Sequence, residues 1–322
     1  MRVMTLNLQS GLPNESWNAD DAYFGLDERL GGRPQRAADV GQGTTGQGTA
    51  GATGQDSAAD LEVDASVARE IIALKAAGAE VGRFLALASS AAKVAQTAPD
   101  ILAMQEVRET PQRSMIEAFA AQCNMPHTRF AAARRAHSQL LMRVRGQASI
   151  GYGIALLSRH PIEAAKTLRL PSWKNPFRRD PKRQKGIAGF YFRTEEQRMA
   201  ILALVRTPEP IVVASAHLTA RREQNLEQLE YLERKMRAFA SKHGVPDAPL
   251  LLLGDLNLKL DSVRQATGLD VLAEALTFPE SKPRTQIDHV LGRGLRSEGE
   301  ADVVRLPIAD HLGLITQVQP TA

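Results

Sequence analysis

Four leucines run from Leu250 to Leu253 without a polar interruption, and the run stops at Gly254-Asp255-Leu256-Asn257. A short apolar run bounded by turn residues reads as a strand buried on both faces. The pattern recurs along the chain. Arg2–Leu8 reads as a short strand that ends at Asn7, Asp100–Val107 ends in Gln105 and Glu106, and Ile211–His217 ends in His217. Gly151–Arg159 is closed by His160-Pro161, and Gln286–Leu291, Ala301–Leu306 and Gly313–Val318 read as further strands. Gly186–Arg193 and Met199–Val205 flank Thr194–Arg198 as a hairpin with a longer loop would.

Helical spacing appears between these strands. Val67, Ile71, Leu74, Val81, Phe84 and Leu85 mark one face of a helix that begins near Asp64 and stops before Pro99. A second helix is predicted at 111–123 and a short one at 270–276. Leu226, Leu229, Leu232, Met236 and Phe239 recur at three- and four-residue spacing, with Thr219 as the cap and Gly244 as the stop.

One stretch breaks the pattern. Residues 31–60 hold eight of the 24 glycines, and Val40 is their one large aliphatic. Such a segment buries too little apolar surface to offset its ordering entropy. It is read as a flexible insertion in a single domain of 1–322, because the strand before it still needs sheet partners. With 322 residues and 43% hydrophobic content the chain can bury a full core. Lys plus Arg number 40 against 36 for Asp plus Glu, and the net charge of +4 permits a polyanionic partner without demanding one. Cys123 is the one cysteine, so no intramolecular disulfide forms. No charged-then-apolar leader opens the sequence, and no apolar run reaches the roughly 18 residues of a membrane span. The expectation is a cytoplasmic protein.

Polar residues therefore punctuate apolar strands at Asn7, Glu106, His217, Asp255 with Asn257, and Asp288, and Asp310-His311 precede the last strand. Each has a plain structural explanation alone. Asn and Asp form turns, a strand-end Glu is solvated, and a lone His is more often a satisfied interior residue than a catalyst. Together, in this order, they resemble the endonuclease/exonuclease/phosphatase superfamily of metal-dependent phosphoesterases. The matching pieces are Thr5-Leu-Asn7, Asp100–Val107, Gly151–Arg159, Ser215-Ala-His-Leu218, Leu253–Asn257, Ile287-Asp-His289 and Ala309-Asp-His-Leu312. They span nearly the whole chain.

The resemblance implies an α/β fold, a four-layered α/β sandwich with two mixed sheets face to face and helices outside. It also implies Mg²⁺ or Mn²⁺, hard cations that take oxygen ligands. Glu106 is then the principal metal ligand, Asp310 a second contact, and Asn7 a support for metal or phosphate. Asp255 would handle the attacking water and Asn257 would hold a phosphate oxygen. His311 would contact the phosphate or act as base, oriented by Asp288, and His217 would be a leaving-group acid or phosphate ligand. Two positions depart from the pattern: Ala309 stands where the family commonly has Ser, and His289 where it often has Tyr.

Substrate is a separate question from fold. The segment 173–185 carries Lys174, Arg178, Arg179, Lys182, Arg183 and Lys185, with Trp173 and Phe177 interleaved. Basic residues with aromatics suit a nucleic-acid backbone and unstacked bases. A solvated loop, or a site for a multiply phosphorylated inositol, would use the same residues. The leading expectation is a nuclease. The alternative is a phosphatase or phosphodiesterase acting on small phosphate esters, inositol phosphates or phospholipid head groups. A non-catalytic scaffold on the same fold is the remaining reading.

Overall fold

A computed structural model describes residues 1–9, 65–110, 113–135, 151–172, 177–179, 190–192 and 197–321. Contacts divide the chain into two units, Met1–Trp17 with Ala86–Ala322, and Asn18–Leu85. In chain order the elements are β1 (Arg2–Asn7), α1 (Ala65–Thr97), β2 (Ile101–Thr110), β3 (Arg113–Ser114), α2 (Met115–Cys123), β4 (His127–Arg135) and β5 (Gly151–Ser158). Next come β6 (Ile162–Arg169), β7 (Phe177–Arg179), β8 (Phe190–Phe192), β9 (Met199–Val205), β10 (Ile211–His217), α3 (Arg222–Lys242) and β11 (Leu250–Asp255). The chain finishes with α4 (Leu260–Ala266), β12 (Asp270–Val271), β13 (Asp288–Arg293), β14 (Leu295–Val304) and β15 (Gly313–Pro320).

The larger unit holds two mixed sheets. One runs β14-β15-β1-β2-β5-β4, with β3 attached to β2; the other runs β12-β13-β11-β10-β9-β6. The parallel pairs β1/β2 and β10/β11 sit inside otherwise antiparallel sheets. Strand alternation divides the apolar residues cleanly. Val3, Ile101 and Leu156 of the first sheet meet Ile201, Val213, Leu251 and Leu253 of the second in a shared central cluster. Met4, Leu102, Met104 and Leu157 face the other way and pack with Leu87 and Val94 of α1 and Phe119 of α2. Val212, Ala214, Leu250 and Leu252 pack outward against Leu229, Leu232, Met236 and Phe239 of α3. This is the expected helix–sheet–sheet–helix sandwich. Both faces of β11 are buried, and each fully buried leucine there contributes on the order of 1.5–3 kcal/mol.

Several elements differ from the sequence reading. β2 continues past Glu106 to Thr110. β9 does not form a hairpin with the preceding segment: it pairs with β10 and β6, and β8 pairs with β7. Seven consecutive buried residues suit β9 to an interior position. β6 escaped detection because it is an edge strand with exposed Glu163 and Lys166. The helix placed at 270–276 lies instead at Leu260–Ala266. The second helix starts at Met115, where Ser114 caps the Glu117 N–H, and α3 starts after Arg221, without a Thr219 cap. Gly244, at φ 76°, does stop α3. Val81 and Phe84 of α1, assigned to its apolar face, are exposed. The insertion at 31–60 and the side chains of the basic segment 173–185 lie outside the described residues. No helix among the described residues is long and apolar enough to cross a membrane.

Gly254 shows how tightly the second sheet is closed at its polar edge. A Cβ there would lie 2.0 Å from the Ala216 carbonyl oxygen on β10. The substitution Gly254→Ala is expected to lower stability by about 1–3 kcal/mol or more, because main chain must move. Thermal unfolding of the variant beside wild type checks this.

Candidate active site

The polar residues meet because strands of both directions begin or end at one edge. In the second sheet His217 pairs with Asp255, and Asp255 with Asp288, so three adjacent strands bring their polar residues level. In the first sheet Asn7 pairs with Gln105. β15 runs antiparallel to β1, which places the preceding loop, with Asp310 and His311, beside the end of β1. Main-chain bonds fix that loop: Glu280 N–H donates to Asp310 O at 2.7 Å and Leu312 N–H to Thr277 O at 2.7 Å. The Phe278 ring lies 4.8 Å from the His311 ring, tilted 53°.

Glu106 reaches the same edge through an irregularity. The β2/β5 register shifts between Met104 and Val107, and Glu106 takes a left-handed φ of 55°. A bulge of this kind turns a side chain that regular alternation would send elsewhere. Asn7 joins the two sheets. Its Nδ2 donates to Asp255 Oδ2 at 3.1 Å and, at 3.4 Å, to Glu106 Oε1, while its Oδ1 accepts from Gln9 N–H at 3.1 Å. Asn7 thus shows its donors, and not its carbonyl, to the two carboxylates. It is a hydrogen-bond donor here, where a metal contact had been one expectation.

Asp255, Asp288, His217 and His311 are each at most 5% exposed. Asp255 also accepts from Asn257 N–H at 2.9 Å. Burial and the adjoining Asp288 charge raise its pKa to about 7, against the pull of His311, Asn257 and Asn7. His311 Nδ1 lies 2.8 Å from Asp288 Oδ2. Burial disfavours the charged His311 ring, but the Asp288 charge and hydrogen bond, helped by Asp255 and Asp310, raise its pKa to about 9. His217 is the opposite case. Burial, then the Arg198 and His311 charges, hold it neutral, well below the usual histidine range. Arg198 Nη1 lies 3.0 Å from His217 Nδ1 and 3.1 Å from Nε2, and Asp255 Oδ2 is 3.4 Å from Nε2. A guanidinium only donates. The neutral ring therefore accepts from Arg198 through one of its nitrogens, and Asp255 lies beside Nε2. Burial, and after the Asn7 bond the Asp310 charge, bear on Glu106, whose carboxyl ends above its ordinary value.

Asn257 meets the cluster through its main chain, at Asp255 Oδ1. It sits at φ 51°, and its Nδ2 donates to Leu218 O at 3.1 Å. Asp310 lies at the rim, 43% exposed, its Oδ1 4.0 Å from His311 Nε2. His289 is on the opposite face of β13 from Asp288, buried, with Nε2 2.8 Å from Leu258 O. Ala309 is buried in the outer core of the first sheet. Arg198 escaped the sequence reading. It stands just before β9, and the antiparallel pairing of β9 with β10, which only the structure shows, sets its start beside His217.

Among the described residues the side chains grouped closely enough to ligate a metal ion are Asp255, Asp288 and His311, their ligand atoms all within 4.8 Å of one another. The expected set of Asn7, Glu106 and Asp310 is not that group.

Carboxylates and histidines gather at one edge of a two-sheet sandwich, and solved structures share that architecture. An endonuclease/exonuclease/phosphatase from Beutenbergia cavernae DSM 12333 matches with a TM-score of 0.54 at 16% identity, covering 100% of this chain and 72% of that one. A functionally unknown conserved protein from Enterococcus faecalis V583 gives 0.53 at 17%, covering 74% and 92%. A family protein from Leptotrichia buccalis C-1013-b gives 0.51 at 14%, covering 73% and 92%. At such identities the likeness is one of fold. No curated protein matches the sequence. The model of the Endonuclease/Exonuclease/phosphatase family matches residues 75–311, and the chain belongs to that family of phosphoester hydrolases.

The two raised pKa values set a pH dependence. Asp255 at about 7 and His311 at about 9 both bind protons more tightly folded than unfolded. Stability from His311 is complete below its unfolded value, roughly 6.5, and is lost as pH rises through its folded one. The thermal midpoint of metal-free protein is expected to fall from pH 7 to 9.5, and to fall less in His311→Gln. Equal slopes in the two proteins would contradict the assignment.

Proposed function

We propose that the protein hydrolyses phosphodiester bonds of nucleic acid with the help of a divalent cation, Mg²⁺ or Mn²⁺. The observation that carries the chemistry is the pair of opposite protonation states at one edge. Asp255, with a pKa of about 7, is poised to take a proton from water, and His311, with a pKa of about 9, carries one. Such poised groups typically supply ~10²–10⁴-fold each.

The roles follow from the contacts. Asp255 orients and deprotonates the attacking water, fixed by Asn7 Nδ2 and Asn257 N–H. His311, held by Asp288, presents a charged N–H to a phosphoryl oxygen. Neutral His217 is a poor acid, so it orients Asp255 and the phosphate, and the leaving oxygen takes its proton from solvent. Asn7 offers amide protons at the same edge.

A cation fits best at Glu106. That carboxyl is raised by burial and by the Asp310 charge, so two carboxylates repel where a positive ion would relieve them. Oxygen donors also suit a hard cation. The Asp255, Asp288 and His311 group holds a proton on His311 at neutral pH, which competes with metal there. Glu106 and Asp310 would therefore hold the ion, which when bound neutralises charge on the phosphoryl oxygens. Nucleic acid is favoured by Lys174, Arg178, Arg179, Lys182, Arg183 and Lys185 with Trp173 and Phe177.

The test is a panel of plasmid, single-stranded DNA and RNA beside phosphate monoesters and inositol phosphates, with and without EDTA. Cation-dependent cleavage of a polynucleotide is expected, and His311→Ala should slow it by about 10²–10⁴-fold. Release of phosphate from the small esters alone would replace the nuclease reading with a phosphatase. Turnover unaffected by EDTA would refute the metal.

A further inference from the structure

α3 begins without a side-chain cap, and its first turns direct three amides inward. Gln224, Asn225 and Gln228 are each 1% exposed. Buried amides are costly unless bonded, and these are bonded to three separate main-chain segments. Gln224 Nε2 and Gln228 Nε2 both donate to Pro171 O, at 3.2 and 2.7 Å. Gln228 Oε1 accepts from Thr219 N–H at 2.9 Å. Asn225 Nδ2 donates to Asn257 O at 2.9 Å.

Asn225 is the informative one. Its own Oδ1 is buried without a partner among the described residues. A donor that satisfies one carbonyl while its side-chain oxygen stays orphaned adds little net stability, so its contribution is geometric. The residue it holds is in a left-handed conformation, φ 51°, which asparagine adopts more readily than other non-glycine residues but still less readily than the right-handed one. Asn257 in turn connects to the carboxylate expected to handle water. Its N–H donates to Asp255 Oδ1 at 2.9 Å, and its Nδ2 reaches Leu218 O at 3.1 Å. Leu218 N–H closes the circuit on Asp255 O at 2.9 Å. Releasing the Asn257 carbonyl lets the residue relax toward the ordinary right-handed region. Its N–H then swings away, and one oxygen of Asp255 loses the bond that fixes its rotamer.

We propose that Asn225 is a positioning residue for the hydrolytic site: from the outer helix it locks Asn257 in its left-handed conformation and so fixes the Asp255 carboxylate. This rests on the reading of Asp255 given above. The sequence offered no sign of it, since Asn225 lies among the polar positions of an amphipathic helix.

Two variants test the lock. Asn225→Ala removes the side chain, and Asn225→Asp keeps its shape but has no donor for the carbonyl. In both, kcat is expected to fall by about 10–100-fold, the range for residues that orient catalytic groups. KM should stay within about twofold, because substrate binding is not what is lost. Hydrogen–deuterium exchange gives a readout independent of turnover. The peptide covering 254–259 should exchange faster in both variants, while the peptide covering 211–217 keeps its wild-type rate. Unchanged exchange at 254–259, or a rise in KM with kcat held, overturns the proposal. Loss of the fold in both variants does so too, because Asn225 would then be structural. If wild type hydrolyses no phosphoester, the exchange comparison alone decides the lock, and the functional reading fails separately.

Discussion

A single side chain ties the two sheets together where their polar residues gather. Asn7, at the end of β1 in one sheet, donates to Asp255, at the end of β11 in the other, and to Glu106 across its own sheet. The rest of the edge is arranged around the consequence: a carboxylate 2% exposed, with Asp288 paired beside it on the next strand. Two buried carboxylates that close cannot both ionise easily. The structure resolves the conflict unequally, giving Asp288 the His311 ring and leaving Asp255 with a raised pKa. That asymmetry underlies the proposed division of base and acid within one cluster.

The scaffold that enforces it is the sandwich itself. Buried leucines and valines on both faces of β10 and β11 prevent those strands from shifting, and Gly254 lets them approach until no side chain fits between. A one-residue slip would exchange every inward and outward side chain, so register and site are specified together. Arg198 and His217 extend the logic. Burial, and then the guanidinium charge, keep the ring neutral beside Asp255.

Much of this was legible in the sequence, because buried strands announce themselves by unbroken apolar runs and polar residues at their ends are anomalous. Asn7, Glu106, His217, Asp255 and Asp288 stood out that way, while His311 and the layered α/β class followed from the family resemblance of the ordered motifs. The failures have physical causes. β6 is half exposed at a sheet edge and carries no apolar signature. Strand pairing is non-local, so nothing near Met199–Val205 told that its partners were β6 and β10 and not the preceding segment. Glu106 reaches the edge by a bulge that alternation does not anticipate. Asn257 matched a motif, and the bond of its amide to the Leu218 carbonyl is a contact the motif does not announce. Asn225 and Arg198 depend on which elements pack together, which periodicity does not encode.

The central claim is that Asp255 is the working base of a cation-assisted phosphoester hydrolase. The most direct measurement is turnover of a simple phosphodiester by wild type and by Asp255→Asn, with Mg²⁺ or Mn²⁺, with and without EDTA, beside the thermal midpoint of each protein. The account expects cation-dependent turnover in wild type and a loss of about 10²–10⁴-fold in the variant, with the fold retained. Wild-type turnover in a folded Asp255→Asn protein would contradict it.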